Sequence, residues 1–273
     1  MNEIRLDVLI CTFGKKGIDK VAEMKLPSVP GVRYIVSWQT NGCDPQCDIP
    51  DNIKREDILI APTESIGSSN NRNHAIQAST APICLTADDD LAYNADQLQA
   101  VIHTFEENPD IDLASFQYSG PDNKNYPPEE TELKNPLPKG FYSTSFEVAF
   151  RRESVKDKIF YNPYFGINSP KLVCGDDNVF LLDCINAGLK CRFFPIVITH
   201  HKDLSSGARL FKDPGFLMTQ GAYIRYAYGW KGTPRIPLYV WRQFRKYNLG
   251  IAKGLKFLIA GFLYKVPKGA KHL

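Results

Sequence analysis

Ala81-Pro-Ile-Cys-Leu-Thr-Ala-Asp-Asp-Asp90 decides how this chain is read. Pro82 to Leu85 form a short apolar run that breaks off in three consecutive carboxylates, the pattern of a buried strand ending at a polar edge. A strand apolar on both faces belongs to an α/β sheet, and such sheets bind ligands just beyond the carboxyl ends of their strands. Three adjacent aspartates repel one another unless a cation or a loop rich in donors offsets their charge. Hard oxygen ligands suit Mg²⁺ or Mn²⁺, which sits between one or two carboxylates and substrate phosphates. Taken alone, the same residues are also readable as a solvated acidic turn capping the next helix.

Working outward, the flanking sequence alternates short strands with helices. Residues 5–13 read as a first strand, Gly14-Lys-Lys-Gly17 as a turn and 18–24 as a helix. Strands follow at 32–39 and 57–61, then a small-residue loop from Ser65 that enters a helix ending at Ser79. After the acidic strand, a helix over 94–107 is stopped by Asn108-Pro109. Residues 111–118 and 145–152 read as strands, 174–187 as a helix, and 191–199 as a last strand ending in His200-His201. This order predicts an open, mostly parallel α/β sheet flanked by helices. Residues 120–140, with five prolines, and 160–171 read as long excursions, where lids and insertions are found.

Composition narrows the class. A chain of 273 residues with ordinary apolar and charged content folds as one large α/β domain with or without an appendage. Its seven cysteines show no zinc or redox spacing and no secretion signal precedes them, so free thiols in a reducing cytosol are expected. The net charge of +3 hides an asymmetry: residues 214–273 hold 11 Lys or Arg and no Asp or Glu, which leaves 1–213 at about −8. A basic appendage on an acidic body points to a polyanionic partner.

Polar clusters stand where strands end or helices begin: Thr40-Asn41, Ser68 to Asn73, Asp88 to Asp90, Asp176-Asp177 and His200-His201. Each has a plainer reading. Asp176 and Asp177 suit a helix N-terminus, Ser68 suits an N-cap, and the histidines suit a surface loop. In an α/β sheet, however, these positions share one edge.

The ordered set resembles the family-2 glycosyltransferases of the GT-A fold. The resemblance is carried by Cys11-Thr12-Phe13, Gly67-Ser-Ser-Asn-Asn-Arg-Asn-His-Ala-Ile76, Thr86-Ala-Asp-Asp-Asp90, Cys174-Gly-Asp-Asp-Asn178 and a strand-terminal His, and it covers about residues 5–207. It implies a Rossmann-like nucleotide-diphospho-sugar transferase domain over 1–213. Asp88 and Asp90 match the outer residues of the family's Asp-x-Asp motif, the first toward the donor ribose and the metal, the last on the metal, with Asp89 between them on the donor side. His201 is the better match for a strand-end metal ligand because Ser205-Ser206-Gly207 follows at the family's spacing; His200 is the alternative. Asp177 matches the general base of an inverting transfer, with Asp176 beside it toward the acceptor. Thr12, Gln39, Asn41, Ser68 and Arg72 fall on the donor side, Arg72 near nucleotide or phosphate. The implied cofactor is divalent Mn²⁺ or Mg²⁺. The implied partners are a nucleotide-sugar donor, UDP-sugar foremost, and a saccharide or lipid-linked acceptor in bacterial surface-polysaccharide synthesis. One departure concerns the second strand, which ends Val36-Ser-Trp-Gln-Thr-Asn-Gly42 where many members carry an acidic segment; Gln39 and Asn41 offer amides to a base instead.

Residues 214–273 form the basic extension. Tyr226, Tyr228, Trp230, Tyr239 and Trp241 stand among Arg and Lys, and Leu255, Leu258, Ile259, Phe262 and Leu263 recur at helical spacing with Lys256 off that face. The apolar stretch is too short and too charged to span a bilayer but suits an interfacial helix on anionic lipid, which would place the protein in the cytoplasm, peripheral to the inner membrane face. A helix packed on the domain is the alternative, and no nucleic-acid motif is present. Two other functions compete: a nucleotidyltransferase, for which Gly14-Lys-Lys-Gly17 is the candidate phosphate loop, and a non-catalytic sugar- or membrane-binding module.

Overall fold

The computed structural model describes residues 3–121, 124–202, 213–247 and 251–269. Ser205-Ser206-Gly207, the segment that favours His201 over His200 by spacing, lies outside them.

β1 (Leu6–Phe13) lies inside the parallel part of the sheet, in register with β2 (Val32–Gln39) on one side and β4 (Ile83–Asp88) on the other; β3 (Ile58–Thr63) continues the parallel set beyond β2. These strands read as continuous apolar runs because both faces are covered. Leu6, Val8 and Ile10 pack with Ile18 and Val21 of α1 (Gly14–Glu23) and with Leu98 and Ile102 of α3 (Ala95–Glu107). On the other face Leu9, Ile35 and Cys84 pack with Ala75 and Ile76 of α2 (Ser68–Ala78) and Phe180 and Leu181 of α5 (Asp176–Asn186). Each Leu, Ile, Val or Phe among them contributes about 1.5–3 kcal/mol of burial.

Past β4 the sheet turns mixed. β8 (Val148–Arg151) runs antiparallel to β4 and to β6 (Leu113–Ser119), β6 is parallel to β9 (Cys191–His201), and two-residue strands β5 (Leu91–Ala92) and β7 (Thr131–Glu132) pair antiparallel to β9. The order is β3-β2-β1-β4-β8-β6-β9-β5 with β7 on β9, so the mixed, mostly parallel α/β sheet flanked by helices is the one expected.

Local details differ from the sequence reading. Gly14 to Gly17 is not a turn but the first turn of α1, because Gly14, at φ +63°, swings the chain from strand directly into helix. No phosphate-cradling loop is formed there. Residues 145–147 form a 3₁₀ turn rather than strand, closed by a capping box between Thr144 and Glu147. α4 (Arg152–Val155) is a single turn after β8.

The C-terminal extension is helical: α6 (Pro214–Tyr228), α7 (Arg235–Tyr247) and α8 (Ile251–Leu263). Asp213 caps α6, accepting from the Gly215 and Phe216 amides, with Pro214 in the first turn. The extension is packed on the sheet domain. Ala222 and Tyr226 of α6 share a buried cluster with Phe165, Leu172, Val179 and Leu182, and the Tyr226 hydroxyl donates to both carboxylate oxygens of Asp183 on α5 at 3.0 and 2.8 Å. A second cluster holds Phe216, Leu217 and Ile224 against Ile236 and Val240 of α7 and Leu258 and Phe262 of α8. α6 and α8 touch backbone to backbone. A Cβ on Gly221 would lie 2.0 Å from the Leu258 carbonyl oxygen, and one on Gly261 1.8 Å from that of Met218. No helix among the described residues is long and apolar enough to cross a membrane.

Candidate active site

The carboxyl ends of β1, β2 and β4, the N-termini of α2 and α5, and the end of β9 surround one cleft of about 730 Å³, a volume that accommodates a nucleotide-sized ligand. The sheet register explains the convergence. Cys11 of β1 lies beside Asp88 of β4, and Phe13 beside Gln39 of β2. β5 follows Asp90 immediately and pairs Leu91 with His201, which brings the last aspartate of the strand end next to the last histidine of β9.

Arg72, on the first turns of α2, lies almost fully buried among three carboxylates. Its guanidinium donates to Asp176, lies 3.2 Å from Asp88 Oδ1 through Nη2, and places Nε 3.7 Å from Asp177 Oδ1. Burial alone would lower its affinity for a proton; Asp177, Asp176 and Asp88 more than compensate and hold it charged. Ser68, at the start of the same helix, donates to Asp176 at 2.9 Å. Asp176 is therefore a fastener between α2 and α5, and its neighbour Asp177 is the less engaged one: beyond the long ion pair with Arg72, its buried Oδ1 accepts no hydrogen bond. Burial pushes the Asp177 carboxyl up to about 8, Arg72 opposing and Asp176 adding to the shift. A carboxylate so raised is a stronger proton acceptor than one in water.

The three aspartates of the strand end separate by partner. Asp88, raised by burial against the pull of Arg72, accepts from Ser145 Oγ at 3.0 Å. Asp89 accepts from Thr12 Oγ1 at 2.6 Å and lies 3.7 Å from Lys20 of α1, so it ties the acidic turn to β1 and α1. Asp90 faces His201, Oδ1 to Nε2 at 3.4 Å, and that contact holds its carboxyl below the usual range. Asp90 Oδ1 is buried and makes no well-formed hydrogen bond. The imidazole of His201 is itself buried, its ring parallel to Phe146 at 5.2 Å and edge-on to Tyr118 at 6.4 Å.

Thr12, Gln39, Ser68, Arg72, Asp88, Asp89, Asp90, Asp176, Asp177 and His201 all line this cleft. Two named residues do not. His200 points from the opposite side of β9, as successive strand residues must, and bonds Ser119 at 2.9 Å. Asn41 lies exposed past the end of β2, at φ +49°, outside the cleft wall. Gln39 lines the cleft, but its amide nitrogen is engaged with Gly67 O at 3.0 Å and Ser65 Oγ at 3.1 Å, so it also braces the loop that opens α2.

Sequence reading missed two walls. Residues 141–146 line one side; the Thr-x-x-Glu capping signature of Thr144 to Glu147 would have marked a turn there. Phe216, Thr219, Gln220 and Tyr223 of α6 and Tyr239 of α7 line another, although they belong to the extension. Only their aromatic density hinted at it.

Among the described residues no three His, Cys, Asp or Glu side chains already stand in a metal-holding cluster. Asp90 and His201 do converge, with a buried carboxylate oxygen that lacks a good donor. The carboxylate oxygen suits Mn²⁺ or Mg²⁺ when phosphate oxygens complete the shell, and an imidazole nitrogen beside it favours the softer Mn²⁺ of the two. The residues present fit such an ion as a two-ligand half-site.

The fold and this cleft define the class: a GT-A nucleotide-diphospho-sugar transferase architecture. The family model described as Glycosyl transferase family 2 matches residues 54–166, a segment that includes Ser68, Arg72 and Asp88 to Asp90 and stops short of Asp177 and His201. Over this segment, 113 of the 273 residues, the chain is similar to glycosyl transferase family 2. No curated protein matches it. Among solved structures, S. aureus TarS 1-349 superposes with a TM-score of 0.57 at 13% identity, over 93% of this chain and 89% of that one. Glucosyl-3-phosphoglycerate synthase from Mycobacterium tuberculosis, solved with Mn²⁺, UDP and glucosyl-3-phosphoglycerate, gives 0.53 at 13% identity, over 82% and 80%. Mannosyltransferase PcManGT from Pyrobaculum calidifontis, solved with GDP-Man and Mn²⁺, gives 0.55 at 12% identity, over 96% and 74%. At these identities the likeness establishes the fold.

Proposed function

We propose that this protein is a metal-dependent, inverting glycosyltransferase that moves a sugar from a nucleotide-sugar donor, UDP-sugar foremost, to a saccharide acceptor on a lipid carrier in bacterial surface-polysaccharide synthesis. The observation that carries the reading is that Asp177, a carboxylate with a buried oxygen that accepts no hydrogen bond and a raised pKa, faces the same cleft as the Asp90–His201 pair. Asp90 and His201, with Asp88 behind them, would hold Mn²⁺ or Mg²⁺. When bound, the ion offsets charge on the departing nucleoside diphosphate.

The protein's own residues do the rest. Asp88, held by Ser145 and Arg72, faces the donor. Thr12 and Gln39 stand at the ends of the strands that floor the nucleotide side, and Arg72 keeps a positive charge below the phosphates. Asp177 takes the proton from the acceptor hydroxyl at Oδ1 as that oxygen attacks the anomeric carbon from the face opposite the leaving group. Asp176, bonded to Ser68 and Arg72, keeps the first turn of α5 in place.

In this reading, residues 1–213 are the transferase domain. The basic extension over 214–273 meets anionic lipid at the cytoplasmic membrane face, supported by its lack of acidic residues and by exposed Trp230, Trp241 and Leu263. The primary test is titration of the protein with UDP-sugar, with and without Mn²⁺, by calorimetry. Asp90→Ala is expected to abolish the Mn²⁺-dependent component. Unchanged Mn²⁺-dependent binding in that variant removes the metal from the mechanism.

A further inference from the structure

The cleft wall over residues 141–147 ends in the turn Ser145–Glu147, which reaches the site twice. Ser145 Oγ donates to Asp88 Oδ2 at 3.0 Å, and the Phe146 ring stacks on His201 with an interplanar angle of 6°. Thr86 of β4 donates in turn to the Ser145 and Val148 carbonyls, which seats the turn against the strand that carries Asp88.

Behind the turn lies a buried ion pair. The Glu147 and Lys124 side chains are 0% and 1% exposed, and Lys124 Nζ donates to Glu147 Oε2. The same oxygen accepts from the Thr144 amide at 3.1 Å and from the Thr144 hydroxyl, while Tyr126 donates to Oε1. Tyr142, Tyr126, Tyr118 and Phe141 surround the ammonium, with ring centroids at 4.4, 5.1, 5.9 and 5.9 Å. Taking two charges out of water costs several kcal/mol per ion, so apolar residues of the same volume would stabilise the fold at least as well. What apolar residues would lack is direction. Every donor around Glu147 points at a fixed place, and together they leave the turn one position.

We propose that Lys124 and Glu147 are positioning residues for the donor and metal edge of the cleft. Their pair locks the 145–147 turn so that Ser145 and Phe146 hold Asp88 and His201 in the orientation that a divalent cation and a nucleoside diphosphate require. This rests on the donor-site reading above. It also assigns a task to the proline-rich excursion: Lys124 arrives from it, so that segment braces the site from behind.

The test is UDP binding to the full chain in the presence of Mn²⁺, by calorimetry and by the Mn²⁺ electron paramagnetic resonance spectrum, with thermal unfolding alongside. Either single substitution strands a buried charge, so the variant is Lys124→Met with Glu147→Gln. The control neutralises a half-buried pair at the far end of β1, Asp7→Asn with Arg33→Gln, where Arg33 meets both Asp7 oxygens at 2.9 Å. The Lys124/Glu147 variant is expected to lose tenfold or more in Mn²⁺-dependent UDP affinity and to change the Mn²⁺ spectrum. The control should melt earlier and bind as the parent does. Parent-like affinity in the first variant, or an equal loss in the control, overturns the proposal. If the double variant is insoluble, Tyr126→Phe decides: a threefold or greater loss supports the role, and unchanged affinity rejects it. A parent protein that binds no UDP with Mn²⁺ instead overturns the donor-site reading, and this inference with it.

Discussion

Three carboxylates share one guanidinium in this cleft, and the sharing is unequal. Asp176 takes the closest contact with Arg72, Asp88 the next, and Asp177 only the long one at 3.7 Å. The last is thereby left with a buried oxygen and a carboxyl raised to about 8. If Asp177 is the base, kcat/KM must fall about tenfold per pH unit below about 8, because the free enzyme then protonates it. The stability sign is opposite. A carboxyl raised above its ordinary value is least costly when protonated, so its burial weighs on the fold as pH rises through about 8. Asp177→Asn is expected to retain Mn²⁺-dependent UDP binding, to lose about 10²- to 10⁴-fold in transfer, and to unfold at a slightly higher temperature at pH 9. Retained turnover in that variant would exclude Asp177 as the base. Arg72→Met leaves three carboxylates facing one another; removing one partner of a buried ionic group costs about 3–5 kcal/mol, and a fall in the thermal midpoint would register it.

At the scale of elements, the crossing of α6 and α8 is the least forgiving contact outside the sheet. Gly221 and Gly261 bring two backbones closer than any side chain allows. Gly221→Val should destabilise by about 1–3 kcal/mol or more, as overpacking does, seen as an earlier or split thermal transition. The consequence extends to the cleft, since α6 also supplies Phe216, Thr219, Gln220 and Tyr223 to its wall. Loss of affinity for an acceptor analogue in this variant, with UDP binding retained, is the expected pattern. Deletion from residue 249 onward would uncover Phe216, Leu217 and Ile224 as well, because Leu258 and Phe262 bury them.

For the whole molecule, charge is divided unevenly between body and extension, and the extension exposes large apolar side chains as well. The segment 214–273 has no carboxylate side chain, and Trp241 and Leu263, on α7 and α8, are 58% and 62% exposed. A surface of this kind gains from both anionic headgroups and the acyl boundary. The protein is expected to co-sediment with vesicles containing anionic lipid and to be released as salt rises. Trp241→Glu with Leu263→Glu should weaken that binding tenfold while leaving Mn²⁺-dependent UDP binding intact. Equal sedimentation of parent and variant would leave the helices to their packing role alone. Point changes are the right probe here, because the helices that would meet the lipid also hold the domain's second apolar cluster together.

Sequence alone determined the order of the longer strands and helices of the sheet domain, the class of sheet and the acidic strand end, because apolar runs, caps and glycines are local properties that the chain carries wherever it folds. The family resemblance further implied a separate role for Asp90 among the three aspartates. Tertiary structure decided what spacing does not encode. Leu91 pairs with His201, so Asp90 meets that histidine while His200 turns away to Ser119. Asp176 became a bonded fastener and Asp177 the open carboxylate only through the place of Arg72 between two helix starts. The buried Lys124–Glu147 pair and the aromatic wall from α6 and α7 unite residues far apart in sequence. Their energies depend on desolvation and on backbone approach, which exist only once the chain is packed.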